Sequence, residues 1–76
     1  MLGEHAQAIE VLRAGRNAAP EEGRVAIDGD LVDAYVAIRQ FDAAQSIINT
    51  GLQTSGRYAP YYARMAERVR AAQGGR

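Results

Sequence analysis

The 76-residue chain has no cysteine, no tryptophan and no lysine, and its single histidine is His5. Without thiols there is no disulfide framework, and one imidazole cannot build the usual thiolate and imidazole zinc site. Absence of cysteine leaves the redox compartment open. General-base and nucleophilic schemes need two or more proton-exchanging or attacking groups within reach of one another, and a solitary His5 supplies one. No glycine-rich phosphate cradle is present, so neither an enzyme nor a cofactor is expected. Long apolar runs are missing too: none approaches the roughly 20 residues of a membrane span. Met1-Leu2-Gly3-Glu4-His5 lacks the basic start and apolar stretch of a signal peptide. The expectation is a soluble chain without a membrane span, with the cytoplasm favoured.

What is present is charge arranged by position. Residues 1–38 hold seven acids (Glu4, Glu10, Glu21, Glu22, Asp28, Asp30, Asp33) against three arginines, and residues 39–76 hold two acids (Asp42, Glu67) against six arginines. The net charge of zero therefore hides a dipole along the chain, able to draw opposite ends of copies together. Every base is arginine and fifteen residues are alanine, a composition expected of a GC-rich bacterial genome. Asp28, Asp30 and Asp33 do not match a calcium loop, because the central glycine and distant bidentate glutamate are absent. Their expected use is helix capping.

Apolar residues recur at three- and four-residue steps in four segments, and no stretch alternates with period two, so the class is all-α. The first segment spans 4–19 and carries Ala8, Ile9, Leu12 and Gly15 on one face, closing before Pro20. The second, within 24–38, has two apolar stripes, one with Ile27, Leu31, Tyr35 and Ile38 and one with Val25, Val32 and Val36. Its start lies near Arg24 or as late as Asp30. The third spans 42–54 and ends at Ser55-Gly56. The fourth spans 60–73, with Pro60 in the first turn and Tyr62, Met65, Ala66, Val69 and Ala72 on its buried side. Gly74-Gly75 is a tail.

Two of these segments are copies. Ala8-x-x-x-Leu12-x-x-Gly15 returns thirty-six residues later as Ala44-x-x-x-Ile48-x-x-Gly51, with Val11 matched by Ile47 and His5 by Phe41. Glycine inside a helix costs about 1 kcal/mol relative to alanine, which close approach of a neighbouring helix can offset. A period of this size means stacked helical hairpins. The pattern resembles the tetratricopeptide repeat, with Ala8, Leu12, Gly15 and Pro20 fitting the second helix and closing turn of one repeat. Tyr35, Phe41, Ala44, Ile48 and Gly51 fit the next, and Tyr62, Met65, Ala66 and Val69 fit the first helix of a third. The chain departs from the family at Arg39, where a turn glycine is usual, and at Gly56, where the closing proline is usual.

The resemblance implies one α-solenoid fragment over 1–76: a second helix (4–19), a full hairpin (24–54) and a C-terminal first helix (60–73). It also implies a protein-interaction scaffold whose partner is a protein or peptide, self-associating or belonging to a longer repeat array. A chaperone-like or regulatory peptide-binding module is the alternative. Carried over by alignment, the concave surface would hold Ala26, Gly29, Asp33, Val36 and Ala37 from the central repeat and Ala63, Glu67, Arg70 and Ala71 from the last helix. Each end of the stack lacks a neighbour, so Ile9 and Val11 at one end and Met65 and Val69 at the other are expected to stay open for self-association. A third reading uses Arg57, Arg64, Arg68 and Arg70 with Tyr58, Tyr61 and Tyr62 to bind nucleic acid, and is disfavoured by the place of Tyr62 on the buried stripe, the neutral whole and the lack of a nucleic-acid motif.

Overall fold

The computed structural model describes residues 2–74, and of Leu2 the backbone alone; Met1, Gly75 and Arg76 lie outside the described residues. Four helices follow one another: α1 (Leu2–Ala18), α2 (Glu21–Ala37), α3 (Phe41–Thr54) and α4 (Ala59–Gly74), with a 3-10 turn at Gly56–Tyr58 before the last. Among the described residues there is no strand. Helix α2 is the centre, packing against α1, α3 and α4, while α3 also packs against α4.

The start of α2 corrects an expectation. It begins at Glu21 and runs unbroken through Gly23, Asp28, Gly29 and Asp30, so neither Arg24 nor Asp30 opens it and no aspartate caps it. Pro20, extended at φ −67°, ψ 169°, occupies the cap position without a side-chain hydrogen bond. Its carbonyl accepts from the Arg24 amide at 2.8 Å. Glu21 and Glu22 fill the first turn, where carboxylates interact favourably with the helix dipole. The stretch from Glu21 to Asp30 is thus helical throughout, and α2 is 17 residues long against 14 for α3.

The α2–α3 turn shows why glycine is usual at Arg39. Arg39 has φ 61°, the left-handed region that L side chains enter only at a cost. The Arg39 amide donates to the Val36 carbonyl at 3.0 Å and the Gln40 amide to Tyr35 at 2.8 Å. Those paired bonds close the helix in a Schellman motif, which needs a left-handed residue at this place. The Arg39 guanidinium then lies over the Phe41 ring, 5.3 Å from its centroid, an attraction that offsets part of the cost.

One apolar core joins α2, α3 and α4: Val25, Val32, Ala44, Ile48, Tyr62, Met65 and Val69 are buried together, flanked by Tyr35, Val36, Phe41 and Ile47. Each such aliphatic side chain stabilises the fold by about 1.5 to 3 kcal/mol. Burial corrects a second expectation, because Met65 is 4 % and Val69 1 % exposed, and Ile9 is 8 % exposed. Met65 and Val69 lie on the side of α4 that faces back into the stack, and Ile9 on the side of α1 that meets the rest of the fold. Val11, by contrast, is 72 % exposed.

Candidate functional site

Three features carry chemistry or shape: a buried polar anchor, a groove between α2 and α4, and an uncovered face of α1. The anchor is Asp28, fully buried in the middle of α2. Its carboxylate accepts a hydrogen bond from the Tyr62 hydroxyl of α4 at 2.5 Å and an ion-paired one from Nε of Arg16 in α1. A buried carboxylate is costly unless its lone pairs are used, and here both oxygens are. Among the described residues no buried side-chain polar atom lacks a partner. Burial first, then the hydrogen bond to Asp28 and its charge, push the Tyr62 phenol well above its ordinary value. Asp28 is therefore a strut tying three helices, not the cap expected of it. Asp30 and Asp33 also sit inside α2 and cap nothing.

The groove lies where successive first helices of a solenoid stand side by side. Val25, Ala26, Gly29 and Met65 form its floor, and Glu22, Tyr58, Tyr61, Arg64 and Arg68 its rim, around about 460 Å³. Of the concave residues expected from the resemblance, Ala26 and Gly29 line it. Asp33 stands at its end, accepting from Arg68 at 2.8 Å and 3.1 Å. Val36 packs on the core, and Ala37, Ala63, Glu67, Arg70 and Ala71 are exposed away from the groove lining.

The tyrosines are what sequence reasoning placed elsewhere. Tyr58 and Tyr61, grouped there with a nucleic-acid surface, instead flank the groove with ring centroids 6.0 Å apart. Arg57 stacks over Tyr58 at 5.5 Å and Arg68 is paired with Asp33. That leaves Arg64 and Arg70 as the arginines of that set without an ion pair or stacking contact among the described residues. The signal that could have found the rim was the spacing of Tyr58, Tyr61, Arg64 and Arg68, which recurs every three to four residues along one side of α4 and the turn before it.

The α1 face is legible by internal comparison. Ala44 and Ile48 of α3 are fully buried and Ile47 is half-buried, whereas their counterparts in α1 are an exposed Ala8, a half-buried Leu12 and the exposed Val11. Helix α3 is covered by α2, the first helix of its own repeat; α1 has no such cover among the described residues. Glu4, Gln7, Ala8, Val11 and Leu12, with Asp30 from α2, outline the resulting shallow depression.

Helix pairs in this order, a glycine at the same point of both second helices and a first-helix groove are the marks of one repeat family, and the sequence profile of the tetratricopeptide repeat matches residues 1–69. The chain belongs to that family. No individual curated protein and no solved structure matches it. Tetratricopeptide repeats are in general protein-interaction modules and typically non-catalytic. Among the described residues no three His, Asp or Glu side chains gather as metal ligands, and no helix is long and apolar enough to cross a membrane.

Proposed function

We propose that this tetratricopeptide chain is a protein-docking scaffold that works inside a stack, by self-association or as part of a longer repeat array. The observation that carries the reading is the exposure difference between matched positions, Val11 against Ile47 and Ala8 against Ala44. A face built to the same pattern as a buried one, yet uncovered, is a face made for another helix. The charge asymmetry of the two halves supports association between unlike ends. Molar mass measured by sedimentation over a range of concentrations tests it. Mass rising above 8.2 kDa is the expected result; a monomer throughout contradicts self-association.

A second reading is a regulatory or chaperone-like module that takes a peptide in the α2–α4 groove. It rests on the tyrosine rim above an apolar floor formed by Val25, Ala26, Gly29 and Met65. Glu22 and Arg64 at the rim favour a segment of mixed charge with an aromatic or aliphatic anchor. Methyl NMR of Met65 during titration with such peptides checks it, and shifts confined to groove residues are expected. Nucleic acid is a poorer fit, since Arg57 and Arg68 already have partners and the chain is neutral overall.

A further inference from the structure

Helices α1 and α3 both pack on α2 and scarcely touch each other. The gap between them is a cleft of about 410 Å³ with three stripes of side chains around it. Helix α1 supplies Arg13, Arg16 and Asn17, three and four residues apart and so on one side of the helix; α3 supplies Ser46 and Thr50 in the same way. Leu31 and Tyr35 of α2 form the floor. At 3.6 residues per turn these two lie roughly opposite Val25, Ala26 and Gly29, so the cleft is separate from the α2–α4 groove.

One wall is cationic, the other carries hydroxyls, and no carboxylate is part of the lining among the described residues. Arg16 is held in place by Asp28, to which its Nε donates. That bond leaves the Nη groups of its guanidinium without a hydrogen bond among the described residues. Asp28 also neutralises Arg16, so the uncompensated charge of the wall is that of Arg13. The side chains of Arg13, Asn17, Ser46 and Thr50 make no hydrogen bond or ion pair among the described residues. A set of unspent donors around a site without acids favours an anion, and guanidinium forks fit carboxylate and phosphate oxygens alike. A planar carboxylate has two oxygens and is satisfied by one fork. A phosphate monoester has three terminal oxygens and can accept from both walls at once. The volume is that of a small-molecule site, larger than one phosphate needs, and Asn17, Tyr35 and Ser46 can exchange hydrogen bonds with hydroxyls on the rest of the ligand.

We infer that the α1–α3 cleft binds a small phosphate monoester with a hydroxylated body, a sugar phosphate, whose phosphoryl oxygens accept from Arg13, Arg16 and Thr50. The site is independent of both docking readings. Arg13, Arg16 and Asn17 stand on the side of α1 roughly opposite Ala8 and Val11, and no second chain is needed to complete it.

Nuclear magnetic resonance of the isotope-labelled chain tests the assignment, with ribose 5-phosphate, ribose, inorganic phosphate and a phosphoserine peptide titrated separately at constant ionic strength. Ribose 5-phosphate should shift the amides of Arg13, Arg16, Asn17, Ser46 and Thr50 saturably, with a dissociation constant below about 1 mM. Inorganic phosphate should move the same amides several-fold more weakly, and ribose should move none. Arg13→Gln should weaken binding about tenfold or more, and Thr50→Val, of the same shape without the hydroxyl, about three- to tenfold. Both positions are exposed, so their melting curves should match that of the unsubstituted chain. Arg70→Gln, an exposed site on α4, should leave binding unchanged.

Absence of a saturable shift at about 10 mM ligand would overturn the inference, as would shifts gathered on the arginines of α4 or equal losses from Arg13→Gln and Arg70→Gln. Inorganic phosphate binding as tightly as ribose 5-phosphate would reduce the cleft to a site for an adventitious ion only. Tighter binding of the phosphoserine peptide would replace the small molecule by a modified protein. None of these results bears on association of the chain, which sedimentation decides separately.

Discussion

Gly15 and Gly51 occupy the same point in two copies of one repeat, and they do different things. At the α3–α4 junction a Cβ on Gly51 would fall 2.2 Å from the Tyr62 ring, far inside contact distance. At the α1–α2 junction a Cβ on Gly15 would meet Ile27 at 3.7 Å, ordinary contact. The reason lies one helix further on. Tyr62 and Asp28 stand at matched positions of α4 and α2, and the bulky ring needs the glycine where the short carboxylate does not. The two junctions are nevertheless one device, because the Tyr62 hydroxyl reaches back to the carboxylate of Asp28, which Arg16 holds from the other side. A repeat can thus keep its backbone pattern while dividing labour between copies, with bulk at one junction and charge at the other.

The strongest way to break that coupling is Asp28→Ala. It strands the Arg16 charge and the Tyr62 hydroxyl together, and loss of one member of a buried ion pair costs about 3 to 5 kcal/mol. Urea denaturation should show a loss of that order, a large share of the stability of so small a domain. Gly51→Ala comes next, since fully buried Tyr62 has nowhere to go. The expected loss is about 3 kcal/mol, with the near-ultraviolet tyrosine signal altered.

Alkaline titration sharpens the same comparison. The Tyr62 phenol has its folded pKa raised above the unfolded value near 10, so the folded state holds the proton more tightly. The stability from this group is complete below about pH 10 and is lost as pH rises from there through the folded pKa. Tyr62→Phe should start less stable, by about 1 to 3 kcal/mol for a buried acceptor deprived of its donor. It should also lack that group's part of the alkaline decline, and unfolding followed at stepped pH compares the two slopes.

The smallest effects run in the opposite direction. Gly15→Ala should stabilise α1 by about 0.5 to 1 kcal/mol, opposite in sign to the loss expected at Gly51. Arg39→Gly relieves a left-handed residue and should gain up to about 1 kcal/mol, less what the contact with Phe41 supplies. Thermal melts of both resolve shifts of a few degrees.

Much of this was legible in the residues. The four helices follow from apolar spacing, the repeat from Ala8 and Ala44, and the strained turn from Arg39 standing at a glycine position. Asp28 was not legible as a strut, because its partners arrive from 12 and 34 residues away in sequence and nothing local distinguishes it from a capping aspartate. Pro20 was readable as the end of α1 but also serves as the cap of α2, and the acidic pair Glu21-Glu22 was the neglected sign of that. The burial of Met65 and Val69 depended on which way α4 is turned. Periodicity supplies a stripe without saying which neighbour covers it. The groove's tyrosines belong to the same class of fact, since Tyr58 and Tyr61 gain meaning when α4 lies beside α2.

Hydrogen exchange of the intact chain, dilute and concentrated, examines the uncovered face most directly. If α1 awaits a helix, its amides should exchange faster than those of α3 when dilute, and α1 and α4 should gain protection on concentration while α2 and α3 change little. Equal protection of α1 and α3 in dilute solution, unchanged when concentrated, would contradict the account.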